Sequence, residues 1–265
     1  MLQIKNVYKT FNPGTINEKK ALRNLNLTLN DGDFVTVIGG NGAGKSTMLN
    51  MIAGVYPVDA GKILIDDIDV TRLPEYKRAT YLGRVFQDPM MGTAADMWIE
   101  ENMALAAARG EKRGLNWAIN NKQREEFKEL LKELDLGLEN RLSTKVGLLS
   151  GGQRQALTLL MATMKRPKLL LLDEHTAALD PKTAAKVLEL SDKLIKEDGL
   201  TALMITHNMK DAIHYGNRLI MMNEGQIILD VSGEEKKKLT VEDLLQAFAK
   251  LSGGEFANDR ALLTK

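Results

Sequence analysis

Leu149-Ser150-Gly151-Gly152-Gln153 stands between the two halves of a phosphate-binding pattern, and that position decides how the chain folds. Upstream, Gly39-Gly40-Asn41-Gly42-Ala43-Gly44-Lys45-Ser46 is a complete G-x-x-x-x-G-K-S loop. Downstream, the apolar run Leu169 to Leu172 ends in Asp173-Glu174. The loop requires a strand before it and a helix after it, because its glycines turn tightly and gather backbone N–H groups at a helix N-terminus. Asp33 to Ile38 (DFVTVI) supplies the strand, and Lys45 to Ala53 reads as the helix. In that setting the loop fits a nucleoside triphosphate, with Lys45 reaching the β- and γ-phosphates and the Ser46 hydroxyl ligating Mg²⁺.

Outward from the loop, strand and helix alternate. Ala21 to Asn30 puts Leu25, Leu27 and Leu29 on one face and Asn24, Asn26 and Thr28 on the other, the period of a half-buried strand. Gly61 to Ile65 and Leu82 to Phe86 read as short strands. Asp96 to Arg109 and Lys122 to Leu134 read as helices, the second with Phe127, Leu130, Leu131 and Leu134 at helical spacing. A basic linker, Gly110 to Asn121, separates them. Lys168 to Leu172 is a strand without alternation, as expected where both faces are buried. Pro181 to Lys196 is a helix, and Thr201 to Thr206 and Asn217 to Met222 are strands. Such a pattern implies a mostly parallel sheet covered by helices. Near the end, Thr240 and Asp243 form a capping box ahead of Leu244, Leu245, Phe248 and Leu251.

Composition narrows the field. The 265 residues are 44% hydrophobic and 27% charged, with a formal net charge of +1 and the basic residues scattered. A dedicated nucleic-acid surface would gather them into a stripe, so no nucleic-acid partner is expected. There is no cysteine, which excludes disulfides and thiolate metal sites. The N-terminus lacks the apolar core of a signal peptide, and no window approaches the ~20 apolar residues of a membrane span. If the chain works at a membrane, it does so from the water side through a partner.

The three motifs in this order resemble the ATP-binding cassette (ABC) family, over roughly residues 1 to 235. The resemblance implies an α/β fold: a P-loop NTPase (RecA-like) core with a mostly parallel sheet, an N-terminal antiparallel β part and an inserted α-helical subdomain at about 89–160. The nucleotide-binding domain is then expected over 1–240, with a short C-terminal helix and tail at 241–265.

It also implies roles, residue by residue. Gly39, Asn41, Gly42, Ala43, Gly44, Lys45, Ser46 and Thr47 would hold the nucleotide, which the family makes ATP. Asp173 would help hold Mg²⁺, and Glu174 would be the general base that polarises the attacking water. Gln87, in Val85-Phe86-Gln87-Asp88-Pro89, matches the Q-loop, which touches Mg²⁺ and that water. His207, in Ile205-Thr206-His207-Asn208, matches the position where an imidazole meets the γ-phosphate. Phe11 stands where an aromatic stacks on adenine, with Tyr8 as rival and a core role open for either. Ser150, Gly151, Gly152 and Gln153 open a helix and make a second anion-binding surface. In the family this surface closes over the nucleotide of a second subunit, giving an ATP-bound homodimer with two composite sites. The D-loop is Ala178-Leu179-Asp180; a serine often holds its first position, so one contact across the dimer is lost while Asp180 remains.

Two features stand apart from the family pattern. Where many members read Asp-Glu-Pro-Thr, this chain reads Asp173-Glu174-His175-Thr176. His175 either shapes the loop in place of proline or modulates the neighbouring base as pH changes. Leu251-Ser252-Gly253-Gly254-Glu255 mimics the signature but follows every other motif, and reads as a helix stop.

The function implied is ATP hydrolysis powering a membrane transporter. Because the chain lacks membrane spans, the pore is expected to be a separate integral membrane permease, with the cassette peripheral on the cytoplasmic side of the cell membrane. The string Asp-Glu-His-Thr-Ala-Ala-Leu-Asp-Pro-Lys-Thr looks like cassettes that accompany substrate-binding lipoproteins and branched-chain-amino-acid-type permeases. That points to an importer with an extracytoplasmic substrate-binding protein and a small solute such as an amino acid, aromatic ones included. An exporter or lipid-extraction cassette shares every motif and stays open, as does a soluble ABC ATPase acting on ribosomes or DNA. Asp88 to Trp98, with Met90, Met91, Met97 and Trp98, is either a docking surface for the permease or core.

Overall fold

The computed structural model describes residues 1–111 and 119–251. Its strands are β1 (Leu2–Phe11), β2 (Lys19–Leu29), β3 (Phe34–Ile38), β4 (Ala60–Ile65), β5 (Ile68–Asp69), β6 (Leu82–Val85), β7 (Leu169–Asp173), β8 (Ala202–Ile205), β9 (Arg218–Asn223) and β10 (Gln226–Ser232). Its helices are α1 (Lys45–Ala53), α2 (Glu75–Arg78), α3 (Ile99–Ala107), α4 (Asn121–Lys132), α5 (Gly151–Thr163), α6 (Pro181–Glu197), α7 (Met209–His214), α8 (Gly233–Lys237) and α9 (Val241–Leu251). The chain forms two compact units, one from residues 1–78 and the segment from 199 onward, the other from residues 79–198.

In the first unit, an antiparallel sheet runs in the order β2-β1-β4-β5. Leu25, Leu27 and Leu29 of β2 point inward while Asn24, Asn26 and Thr28 face water. The alternation breaks at Asn24, which sits at φ 53° beside a register shift against β1. The bulge lets Leu22 and Leu25 both turn inward.

The same unit holds β3 between β8 and β9, parallel to both, with β10 antiparallel at the edge of β9. Every residue of β3 and β8 is buried, which is why neither segment alternates. Helix α9 begins where Thr240 and Asp243 exchange hydrogen bonds, Asp243 N–H donating to Thr240 Oγ1 at 3.2 Å. Its Leu244 and Phe248 pack with Ile38, Met209, Leu219 and Met221, so the helix belongs to the core of this unit.

One buried charge braces the helix that follows the glycine loop. Arg78 is 2% exposed and donates to the carbonyls of Met51 and Ile52 in the last turn of α1, at 2.6 and 2.9 Å. It also donates to Thr71 and Leu73 at 2.9 and 2.8 Å. A helix C-terminus leaves carbonyls without intrahelical partners and carries negative partial charge, and the guanidinium answers both.

In the second unit, β6 and β7 pair in parallel. Helices α3, α4 and α5 meet in a cluster that includes Ile99, Met103, Phe127, Leu131, Leu157 and Leu160. Helix α4 is capped by Asn120, whose Oδ1 accepts from Gln123 N–H at 2.9 Å. Helix α3 starts three residues later than its pattern suggested. Trp98 bridges to Lys145, and Met97 O accepts from Val146 N–H at 3.0 Å, which holds residues 95–98 as a turn and a bridge outside the helix. Most of the basic linker at 110–121, and the signature mimic beyond Leu251, lie outside the described residues.

Candidate nucleotide site

The first unit carries the loop, Phe11 and His207. Strand β3 ends at Ile38 and the chain enters Gly39 at φ 149°, Gly42 at 78° and Gly44 at 100°. A side chain at Gly39 would collide with the Met222 carbonyl, and one at Gly44 would lie 2.7 Å from the Ala21 carbonyl. Glycine is therefore required at both positions by conformation and by space. Gly44 is the N-cap of α1 and offers no side-chain oxygen to its first turn, a helix N-terminus of the kind that favours anions. Lys45 is buried, with Nζ donating to the carbonyls of Gly39 at 2.7 Å and Gly40 at 3.1 Å. These bonds hold the ammonium over the loop's own backbone. Ser46, Asn41 and Gly42 are exposed.

Strand register places His207. Val37 of β3 pairs in parallel with Ile205 of β8, so the loop after Ile38 and the turn holding His207 emerge at the same strand ends. Ligands of open α/β sheets bind outside those carboxyl ends. Asn208 fixes the following turn, its side chain accepting from the N–H groups of Lys210 and Asp211. Phe11 ends β1, and its ring meets Tyr56 edge to face with centroids 5.3 Å apart. Tyr8, the rival, is 43% exposed.

Lys19 is a residue that the motifs did not indicate. It lies directly opposite Phe11 in the β1–β2 register, and a Cβ built on Gly42 would come within 3.2 Å of its Nζ. The ammonium thus sits against the exposed side of the glycine loop. Only the hairpin register brings it there, which a sequence motif does not encode.

The second unit carries Gln87, the signature, Asp173, Glu174 and Asp180. Parallel pairing of Val85 with Leu172 makes Phe86-Gln87 and Asp173-Glu174 leave β6 and β7 at the same end. Gln155 of α5 donates its amide to Phe86 O at 2.9 Å, tying the helix of the signature to the residue before Gln87. Arg84, stacked 4.5 Å above the Phe86 ring, stands 3.7 Å from Asp173 Oδ2 in an ion pair largely shielded from water.

Ser150 is the N-cap of α5. Its Oγ accepts from Gln153 N–H at 3.3 Å and Gln153 Oε1 accepts from Ser150 N–H at 3.2 Å, a reciprocal capping box. Gly151 lies 3.4 Å, measured from a built Cβ, from Leu179 of the D-loop. At Gly152 even a methyl group would strike Thr183 of α6. Asp180 caps α6 through Thr183 N–H at 3.1 Å, and bonds from Thr183 pull its carboxyl below the usual range.

Glu174 adopts φ 46°, in the left-handed region. His175 beside it is 1% exposed, with Nε2 2.9 Å from Ser191 Oγ. Burial pushes its pKa down to about 4, which keeps the ring neutral through the physiological range. This favours the loop-shaping reading over modulation of the base by pH.

The oxygen donors fit Mg²⁺ by type. Ser46 offers a hydroxyl, Gln87 an amide carbonyl and Asp173 a carboxylate, all hard ligands. Among the described residues no group of three or more His, Cys, Asp or Glu side chains forms a metal cluster.

Glycine loop, signature and acidic strand end thus define a nucleoside-triphosphate cassette. Residues 22–177 match the family model described as ABC transporter. The chain is 47% identical over 249 residues, 94% of its length and 98% of the relative's, to a tyrosine transport ATP-binding protein of Clostridioides difficile. It is 34% identical to a xylose/arabinose import ATP-binding protein of Sulfolobus acidocaldarius, over 94% and 95% of the two chains. Among solved structures, the dimeric ATP-binding cassette MJ0796 in a post-hydrolysis state with ADP and Pi superposes with a TM-score of 0.74 at 33% identity, covering 88% of this chain and 98% of that one. The chain belongs to the ABC transporter family, as an ATP-binding subunit and ABC ATPase. No helix among the described residues is long and apolar enough to cross a membrane.

Proposed function

We propose that this subunit powers an importer of small solutes, with an amino acid of tyrosine's chemical class as cargo. The observation that carries the reading is the 47% identity, across nearly the full length of both chains, to a protein named for tyrosine transport. Other relatives are named for import of sugars and polyamines and for transport of carnitine, which supports uptake while leaving the cargo to the nearer likeness.

In this reading two copies pair around ATP, as the dimeric form of the MJ0796 cassette supports. Loop N–H groups and Lys45 hold the β- and γ-phosphates, and Phe11 stacks on adenine. Ser46, Gln87 and Asp173 hold Mg²⁺, which supplies charge neutralisation on the phosphates. Glu174 orients and polarises the attacking water, and His207 contacts the γ-phosphate. Ser150 to Gln153 of one protomer present a helix N-terminus to the nucleotide of its partner, so ATP stabilises the closed pair by binding it preferentially. Hydrolysis removes the bridging charge and loosens the grip.

A separate permease docks on the cytoplasmic side, and an extracytoplasmic binding protein delivers the solute. Exposed apolar side chains support a docking surface within the second unit: Met90 is 52%, Met91 67%, Trp98 42% and Leu148 74% exposed. The Trp98–Lys145 bridge sets two of these segments side by side.

The test is a mild-detergent pull-down of the tagged chain from membranes of its native host, read by mass spectrometry. A multi-span permease with a binding lipoprotein is the expected result, and titrating the lipoprotein with tyrosine then checks the cargo. Ribosomal or DNA-associated proteins without a permease overturn the transport reading.

A further inference from the structure

The turn from β7 to α6 holds Glu174 in a conformation that L-residues keep only when their surroundings impose it. Inside the turn, Ala177 N–H donates to Glu174 O at 2.9 Å and Leu179 N–H to Thr176 O at 3.1 Å. Its far end is fixed where Asp180 caps α6. Between these points stands His175, a fully buried polar side chain. It holds the turn from outside, through a bond to the body of α6.

The bond has a direction. Ser191 has one hydroxyl proton and donates it to Val187 O, 2.8 Å away in the preceding turn of α6. Ser191 Oγ therefore accepts from His175, 2.9 Å away, and the imidazole carries its proton on Nε2. A neutral donor of fixed tautomer, shielded from water, makes a rigid link, because no solvent competes for either partner. The segment Glu174–Asp180 is thus anchored to β7 at one end, to the first turn of α6 at the other, and to the interior of α6 in between.

We propose that His175 is a positioning residue for the general base. Through Nε2–H to Ser191 it fixes the Glu174 backbone to α6, so that the base and the D-loop turn at Asp180 move as one body. The inference rests on the role proposed above for Glu174. It adds that the setting of the base depends on the bond from His175 to Ser191.

The test is steady-state ATP turnover by the complete subunit, in its permease complex, at a temperature well below melting. His175→Ala and Ser191→Ala should each lower kcat about tenfold, the worth of one buried hydrogen bond, with KM for ATP within about twofold of wild type. The double variant should be no slower than the slower single. His175→Gln places an amide N–H near the Nε2 position and should recover most of the rate. In ¹⁵N-resolved spectra of the subunit, His175 should show the neutral Nε2–H form. Wild-type kcat in both singles, multiplied losses in the double, no recovery with Gln, or an Nδ1–H ring overturns the proposal. Glu174→Gln is measured alongside: wild-type turnover in that variant removes the base itself, a failure distinct from failure of the tether.

Discussion

Replacing Arg78 with Met should cost the protein about 3 kcal/mol, and the structure shows where that figure comes from. Methionine keeps most of the buried stem, so what is lost is the guanidinium and its four bonds to carbonyls. The bonds to Thr71 and Leu73 lie partly exposed, and water can replace them. The bonds to Met51 and Ile52 are buried. Met51 O keeps a second donor in Gly54 N–H at 3.2 Å. Ile52 O is left at the negative end of α1 without its charged donor. Two buried charge-assisted bonds at about 1.5–3 kcal/mol each set the gross loss. Against it stands the relief of keeping a cation out of water, since burial already pulls the Arg78 pKa down. The net of about 3 kcal/mol corresponds to roughly 6–12 °C in melting temperature for a chain of this size. Scanning calorimetry or a fluorescence melt of the wild type, Arg78→Met and Arg78→Lys reads the effect directly. Lysine restores the charge but lacks the planar fork, so it should fall between the two. A Met variant melting within about 2 °C of wild type would refute the view that the guanidinium braces α1.

Four further outcomes follow from the site. Glu174→Gln should lower kcat by about 10²- to 10⁴-fold while ATP still binds, as stopped-flow turnover and nucleotide titration will show; a loss under tenfold assigns the base elsewhere. Lys19→Met should weaken ATP binding about three- to tenfold at low salt and much less in 1 M salt, whereas a salt-independent change would mean that the ammonium does not face the phosphates. His175 should make the protein acid-sensitive. Its folded pKa of about 4 lies below the ordinary 6.5, so the unfolded chain binds the proton first. Stability is whole above about pH 6.5 and falls as pH drops toward 4, by about 3 kcal/mol in all. Urea midpoints of wild type and His175→Gln should therefore diverge below pH 6.5, and parallel profiles would refute the buried neutral ring. The ratio of wild-type to His175→Pro turnover should stay flat from pH 6 to 8.

Sequence carried the central strands because burial on both faces demands unbroken apolar runs. Leu169–Leu172 and Phe34–Ile38 show this plainly, and helix α1 coincides with the residues its pattern marked out. The edges were less legible. Helix α3 begins at Ile99 and not at Asp96, because Met97 and Trp98 are held by Lys145 and Val146, partners almost fifty residues away. The glycine loop was readable as chemistry because its conformation admits no other residue at Gly39 and Gly44. Lys19 was not, since its place depends on which residue of β2 falls opposite Phe11. His175 was visible as a departure from pattern, but Ser191 was not visible as its partner. Sixteen positions separate them, and only the turn at Asp180 folds α6 back to meet the imidazole.

The amide bond from Gln155 to Phe86 stiffens the second unit where the signature begins. Helix α5 spans 13 residues, about 20 Å of stiff rod, and Gln155 grips it near the signature end. The same rod lies tight against Gly92 at Thr158 and against Gly83 at Ala162. With ties at successive turns, no pivot separates the strand end beside Gln87 from the signature helix. Loss of the amide alone would soften that joint without freeing it.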